Sequence, residues 1–246
     1  MRILLIGDSC EDEYIYGRCK EISSEAPVPI MKLSRVETKT GMAGNVCLNL
    51  QAFGIDITFL TNSEKITRTR FIDDRTNIQI LRVDSEEKIK PLLLPISTNN
   101  FDAIVISDYD EGYLTKSKLF EIVETTDCPI FVFSKKTLLP NKKNCFVIVN
   151  DDEYEKLTAN NFIDNLIIIK ESGGCVYKNT MYPSGKMDIC NMSATNNIFI
   201  STLVYGYLKN KSIDKAIMLA NKSCLISSQQ LWGYVLTEKD VLAINS

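Results

Sequence analysis

The 246-residue sequence predicts an α/β fold: a three-layer, doubly wound, mainly parallel sheet with a small β lid. Two observations predict the sheet. Six short apolar runs rich in β-branched residues (3–6, 57–60, 103–106, 130–133, 146–149 and 166–169) leave too few polar positions for a wet face. Strands of that kind are buried on both sides. Helical stretches at 43–53, 116–125, 197–209 and 213–229 fall between or after these runs, and strand alternating with helix reads as right-handed βαβ units.

The lid comes from a third observation. Residues 14–37 and 68–84 alternate loosely between polar and apolar without helical spacing, so they read as antiparallel strands of a flap outside the main sheet, spanning about 13–38 and 67–84. No internal repeat or low-complexity linker divides the chain, and 1–246 is taken as a single domain.

Composition narrows the function classes. The net charge is −3 with both signs interleaved, so no basic block supplies the footprint of a nucleic-acid or membrane-surface binder. No apolar run approaches the ~18 residues of a membrane span. The opening MRILLIGDSC holds too short an apolar run for a signal-peptide core, and a cytoplasmic location is expected. Eight cysteines are scattered without a CxxC pair and there is no histidine, which argues for reduced thiols over a zinc site and excludes Ser-His or Cys-His catalysis.

The first strand ends Gly7-Asp8, with Asp12 four residues on, where an acid can meet a ligand hydroxyl at the carboxyl end of an open sheet. Next come Ile22-Ser23-Ser24-Glu25-Ala26-Pro27-Val28-Pro29-Ile30, then Gly41-Met42-Ala43-Gly44-Asn45-Val46, then Ala52-Phe53-Gly54. Small residues before a helix let backbone N–H groups approach a polar ligand, and an asparagine there both donates and accepts. Tight helix packing explains the small residues but not the segment before them.

These stretches resemble ribokinase-type (PfkB) carbohydrate kinases, and within them the bacterial heptose-phosphate kinases, which carry an I-S-x-E-A-P-V-P lid stretch and a G-G-A-A-N segment. The resemblance continues. Gln79-x-x-Arg82-x-Asp84 is similar to a second lid strand pair, and Ile106-Ser107-Asp108-Tyr109 with Gly112 is similar to the family's S-D-Y-x-K-G strand end. The resemblance implies a sugar-phosphate ligand contacted by Asp12, Gly41, Asn45 and Asp108, with ATP and Mg²⁺ as cofactors. Asn150-Asp151-Asp152-Glu153 matches an N-x-x-E motif associated with magnesium and phosphate, so Glu153 is the candidate metal ligand. Asn221 and Gly233 fall where the family lines its adenine pocket. The family's use of the lid for dimerisation implies a homodimer.

Three departures cut against full activity. Glu111 stands at the family's lysine position, and only Lys135 survives from a D-P-K-G element. The G-A-G-D element, whose acid takes the proton from the attacking hydroxyl while its glycines expose N–H groups to phosphate, reads here Ala194-Thr195-Asn196-Asn197. An amide at 197 cannot accept that proton at neutral pH, and side chains at 194 and 196 crowd the phosphate. The chain is also short between residues 62 and 65 and between 153 and 166, where this branch has further elements. Three readings stay open: a silent kinase-fold protein that binds sugar phosphate or nucleotide, an active kinase using another base such as Asp188, and a lid-mediated interaction protein with a vestigial pocket.

Overall fold

The computed structural model describes residues 1–159, 161–185, 192–228, 230 and 232–246, with the side chains of 192–194 excepted. Strand β1 (Arg2–Gly7) leads through Asp8 into the long hairpin β2 (Ser9–Ile22) and β3 (Pro29–Met42), then helix α1 (Ala43–Ala52). Next come β4 (Asp56–Leu60), β5 (Ile66–Asp73) and β6 (Gln79–Glu86), followed by β7 (Ala103–Asp108), α2 (Lys116–Thr125) and β8 (Ile130–Ser134). The second half holds β9 (Cys145–Asn150), α3 (Asp151–Glu155), β10 (Leu166–Ile169), β11 (Cys175–Tyr177) and β12 (Thr180–Tyr182). Helices α4 (Met192–Asn210), α5 (Ile213–Ser227) and α6 (Glu238–Asn245) close the chain.

The main sheet has the order β12-β11-β10-β9-β8-β7-β1-β4. It is parallel from β4 to β10 and ends in two antiparallel pairs. The six apolar runs become its six parallel strands. They are apolar throughout because both faces are covered. Ile3, Leu5, Val105, Phe131 and Ile148 pack with residues of α1, α4 and α5, while Leu4, Ile6, Ile104, Val132 and Val147 pack with Leu119, Ile122 and Val123 of α2. Short β11 and β12 and the helices α3 and α6 escape the periodicity, being too brief to show it.

The lid is a second sheet of order β3-β2-β5-β6. Its outer pairs are antiparallel, as expected, but its central pair β2–β5 is parallel. The reason lies in the main sheet. β1 and β4 are parallel neighbours, and β2 and β5 leave from their adjacent carboxyl ends, so the two departing strands run side by side in one direction. One face of β2 and β5 looks inward: Cys10, Asp12, Tyr14 and Tyr16, with Ile66, Arg68, Arg70 and Ile72, are buried, while the alternate residues are more open. Helix α4 starts at Met192, not at 197, so residues 194–197 lie inside its first turns.

Candidate functional site

The carboxyl ends of β1, β7, β8 and β9 face the lid, and the candidate residues gather there. Asp8, just past β1, is fully buried and lines neither cavity described below. Its Oδ2 accepts the Tyr109 N–H at 2.7 Å and its Oδ1 the Tyr113 N–H at 3.2 Å, which anchors the loop after β7. Burial, then the neighbouring Asp108 carboxylate, pushes the Asp8 carboxyl up to about 6. Asp108 accepts the Ser134 hydroxyl at 2.5 Å and pairs with Lys136 at 3.1 Å, with none of its surface exposed. It lines neither of the lid-side cavities described below.

Asp12, Gly41, Asn45, Asn197 and Gly233 do come together, around one small cavity completed by Tyr14, Met42, Arg68, Arg70 and Tyr109. Its free space is about 20 Å³, room for little more than a water. The lid's arginines fill it. Arg70 Nη2 stands 3.1 Å from Asp12 Oδ1, and Arg68 Nη2 donates to Glu111 Oε1 at 2.6 Å. Burial raises the pKa of Asp12, and Arg70 and Arg68 work against that rise. Asn45 donates to the Tyr234 carbonyl at 3.2 Å and accepts from Asn49 at 3.1 Å, so both halves of its amide are engaged. Gly41 is required by close approach: a Cβ there would stand 2.1 Å from Asp12 Oδ2. Met42 beside it holds φ at +54°, a left-handed conformation that costs a side-chain-bearing residue energy.

A second, larger cavity of about 290 Å³ opens between the lid and the ends of β8 and β9. Its walls carry the cations Arg68, Arg70, Arg82 and Lys135, the acids Asp152, Glu153 and Glu171, and the amides of Asn150 and Asn196. Tyr109, Arg68 and Arg70 border both cavities. The Tyr109 hydroxyl donates to Asn197 Oδ1 at 2.8 Å, and the Asn197 amide donates to the Met42 carbonyl at 3.5 Å. Burial lowers the pKa of Lys135, and Arg68 adds to the drop.

Asn150 and Glu153 have a local role that their spacing also announces. Asn150 Oδ1 accepts the Glu153 N–H at 2.8 Å and Glu153 Oε2 accepts the Asn150 N–H at 2.9 Å, a reciprocal capping box for α3. Burial raises the pKa of Glu153. Among the described residues no group of three or more His, Cys, Asp or Glu side chains is placed to hold a metal ion.

No family model matches the chain. Among solved structures it superimposes on ribokinase from Thermotoga maritima with a TM-score of 0.71 at 14% identity, covering 99% of this chain and 98% of that one. Phosphofructokinase-2 from Escherichia coli follows with a TM-score of 0.68 at 10% identity, over 99% and 97% of the two chains.

The fold is that of the ribokinase-like carbohydrate kinases. Curated relatives agree. The chain is 29% identical to the bifunctional protein HldE of Nitratiruptor sp. over 275 residues, covering 89% of this chain and 60% of the relative. It is 24% identical to the bifunctional protein HldE of Campylobacter curvus over 286 residues, covering 92% and 61%. The chain thus spans about three-fifths of the length of the curated relatives it matches. Each aligned span exceeds the 246 residues available, so the relatives carry internal segments without a counterpart here. In this ribokinase-like fold β4 passes to β5 through residues 61–65 alone.

The segment read as the counterpart of the G-A-G-D element lies on α4. Thr195, Asn196 and Asn197 are buried there; Ala194 is on the same turn, its side chain outside the described residues, as is all of Asp188. From the fifth residue of a helix on, each N–H is committed to a carbonyl four residues back, so the amides of Asn196 and Asn197 are spent within α4. Asn221 donates to the Tyr182 carbonyl of β12 at 2.9 Å, whereas Gly233 packs against Lys39 and Tyr14 of the lid. These two residues, expected to share an adenine pocket, line no common cavity among those described. The sequence reading missed Arg68, Arg70 and the pairing of Glu111. Their signal was present in Ile66-Thr67-Arg68-Thr69-Arg70, where strand alternation puts both arginines on the face of the buried Ile66.

Proposed function

We propose that this chain binds a sugar phosphate of the heptose-phosphate class under its lid, with ATP·Mg as a second ligand, and that phosphoryl transfer is lost or strongly impaired. The carrying observation is the wall shared by the two cavities. It carries Arg68 and Arg70, and the larger cavity adds Arg82 and Lys135 to give four cations for a phosphate. Its Tyr109 hydroxyl donates to the buried Asn197 amide, which stands where the family resemblance puts the proton acceptor. Arginine and lysine supply the charge and forked donors that phosphate needs. Asp12, Gly41 and Asn45 would meet the sugar, which requires Arg70 or Tyr109 to move, since about 20 Å³ admits no sugar ring. Asp108 would act only indirectly, by fixing Lys136.

On the nucleotide side Asn150, Glu153, Thr195 and Asn196 would face phosphates, with Asn221 and Gly233 at more distant positions. A magnesium ion entering with a nucleotide needs one or two protein carboxylates beside the phosphates, and Asp152 and Glu153 on the cavity wall fit that need. Bound there it would offset phosphate charge. Calorimetric titration with heptose 7-phosphate and with ATP·Mg, alongside a turnover assay, tests the proposal. Binding without turnover is expected, and an ordinary sugar-kinase rate, ~1–100 s⁻¹, would overturn it.

A second copy of the chain is the proposed partner of the lid. Val36, Ile15, Phe71 and Leu81 are consecutive register partners across all four lid strands, forming an apolar row on the face turned away from Tyr14 and Arg70. Val36 and Leu81 are 53% and 54% exposed, and a row of this kind calls for a cover. Among the described residues no helix is long and apolar enough to cross a membrane.

A further inference from the structure

Arg68 has the character of an anion receptor that already holds an anion. It lies on β5, is only 8% exposed, and borders both cavities. One arm of its guanidinium donates to Glu111 at 2.6 Å, while its Nε is buried without a hydrogen-bond partner. A buried donor left unpaired is costly, and here it sits on a cavity wall among other cations. Two of those have carboxylates of their own: Arg70 pairs with Asp12, and Arg82 with Asp84. Lys135 has no ion-pair partner among the described residues.

Glu111 reaches Arg68 from the loop that Asp8 anchors. It is flanked by two residues in the left-handed region, Asp110 at φ +63° and Gly112 at φ +108°, and its side chain is 16% exposed. Carboxylate and phosphate engage the guanidinium fork in the same way, so one arginine edge serves either but not both. A phosphate arriving beside an ionised Glu111 also meets like charge at short range in a poorly hydrated site.

We propose that Glu111 is a tethered carboxylate that occupies the anion slot of Arg68, so that a phosphate enters only by displacing it. Glu111 then sets the selectivity of the site by lowering its affinity for dianions. The proposal rests on the reading that a sugar phosphate binds under the lid, and it assigns the residue that limits this binding.

Sulfate, a dianion throughout the neutral range, is the probe. It would be titrated calorimetrically into the wild-type chain, Glu111→Gln, Glu111→Ser, and Glu111→Gln combined with Arg68→Gln. Both single variants should bind sulfate about 10-fold or more tightly than wild type, about 1.4 kcal/mol or more, and the double variant should lose the gain. Equal sulfate affinity in wild type and both single variants overturns the proposal, as does a gain that survives Arg68→Gln. Lower melting temperatures without tighter sulfate binding would make the pair purely structural and also overturn it. Heptose 7-phosphate separates the two readings. Its binding with equal affinity to wild type and Glu111→Gln sinks the role of Glu111 and spares the sugar reading. The expected sulfate ranking without any sugar-phosphate binding does the reverse.

Discussion

Changing Asn197→Asp tests whether the proposed loss of chemistry lies at one atom or across a whole element. Asn197 is 3% exposed. Its Oδ1 takes the Tyr109 hydroxyl at 2.8 Å, a bond a carboxylate would keep, but its amide nitrogen faces the Met42 carbonyl at 3.5 Å. An aspartate would turn an oxygen toward that carbonyl and bury a charge. The lost bond is long and weak, so the cost is mainly desolvation, ~1–3 kcal/mol. At ~2–4 °C per kcal/mol for a chain of this size, melting should fall by roughly 2–12 °C at neutral pH. The sign with pH is fixed. A carboxyl whose folded pKa is raised costs nothing below the unfolded value of ~3.9 and most above the folded one, so the deficit should vanish near pH 4. Turnover of ATP with heptose 7-phosphate should stay at background, because the side chains of Thr195 and Asn196 remain and the amides of Asn196 and Asn197 stay committed within α4. Rebuilding the element with Ala194→Gly, Thr195→Ala, Asn196→Gly and Asn197→Asp should tighten ATP binding relative to wild type, measured calorimetrically. Turnover near ~1–100 s⁻¹ from the single change would refute this reasoning, since the cradle would then have been intact all along.

Three further outcomes are expected. Gly41→Ala drives a Cβ to 2.1 Å from Asp12 Oδ2 and should destabilise by ~1–3 kcal/mol, read by thermal unfolding; an unchanged melting temperature would count against the packing described. Asp8 holds its proton up to about pH 6 in the folded chain against ~3.9 unfolded, so stability should fall as pH rises through that window, and Asp8→Asn should flatten the slope. Identical slopes for both would contradict the burial of Asp8. The chain should sediment as a dimer at micromolar concentration and Leu81→Glu as a monomer; a monomeric wild type would remove the lid from the list of interfaces.

What the sequence determined on its own is the layered core and the succession of strands and helices along the chain. Runs such as Ile3-Leu4-Leu5-Ile6 and Phe146-Val147-Ile148-Val149 have no polar alternation, and only burial on both sheet faces accommodates that. The sequence also placed Asp12, Gly41, Asn45 and Asn197 among the candidate residues, and the structure gathers them around one cavity. Tertiary structure decided the rest, because it depends on partners that are distant along the chain. Arg68 meets Glu111 across 43 residues, and this pairing, with Arg70 on Asp12, leaves the smaller cavity nearly closed. Asp108 is turned inward by Lys136, whose position past β8 no local pattern specifies. The parallel central pair of the lid follows from β1 and β4 lying side by side, a fact of sheet order and not of strand sequence. Periodicity reports which face of an element is dry; which charge meets which across the fold is settled only when the strands are laid together.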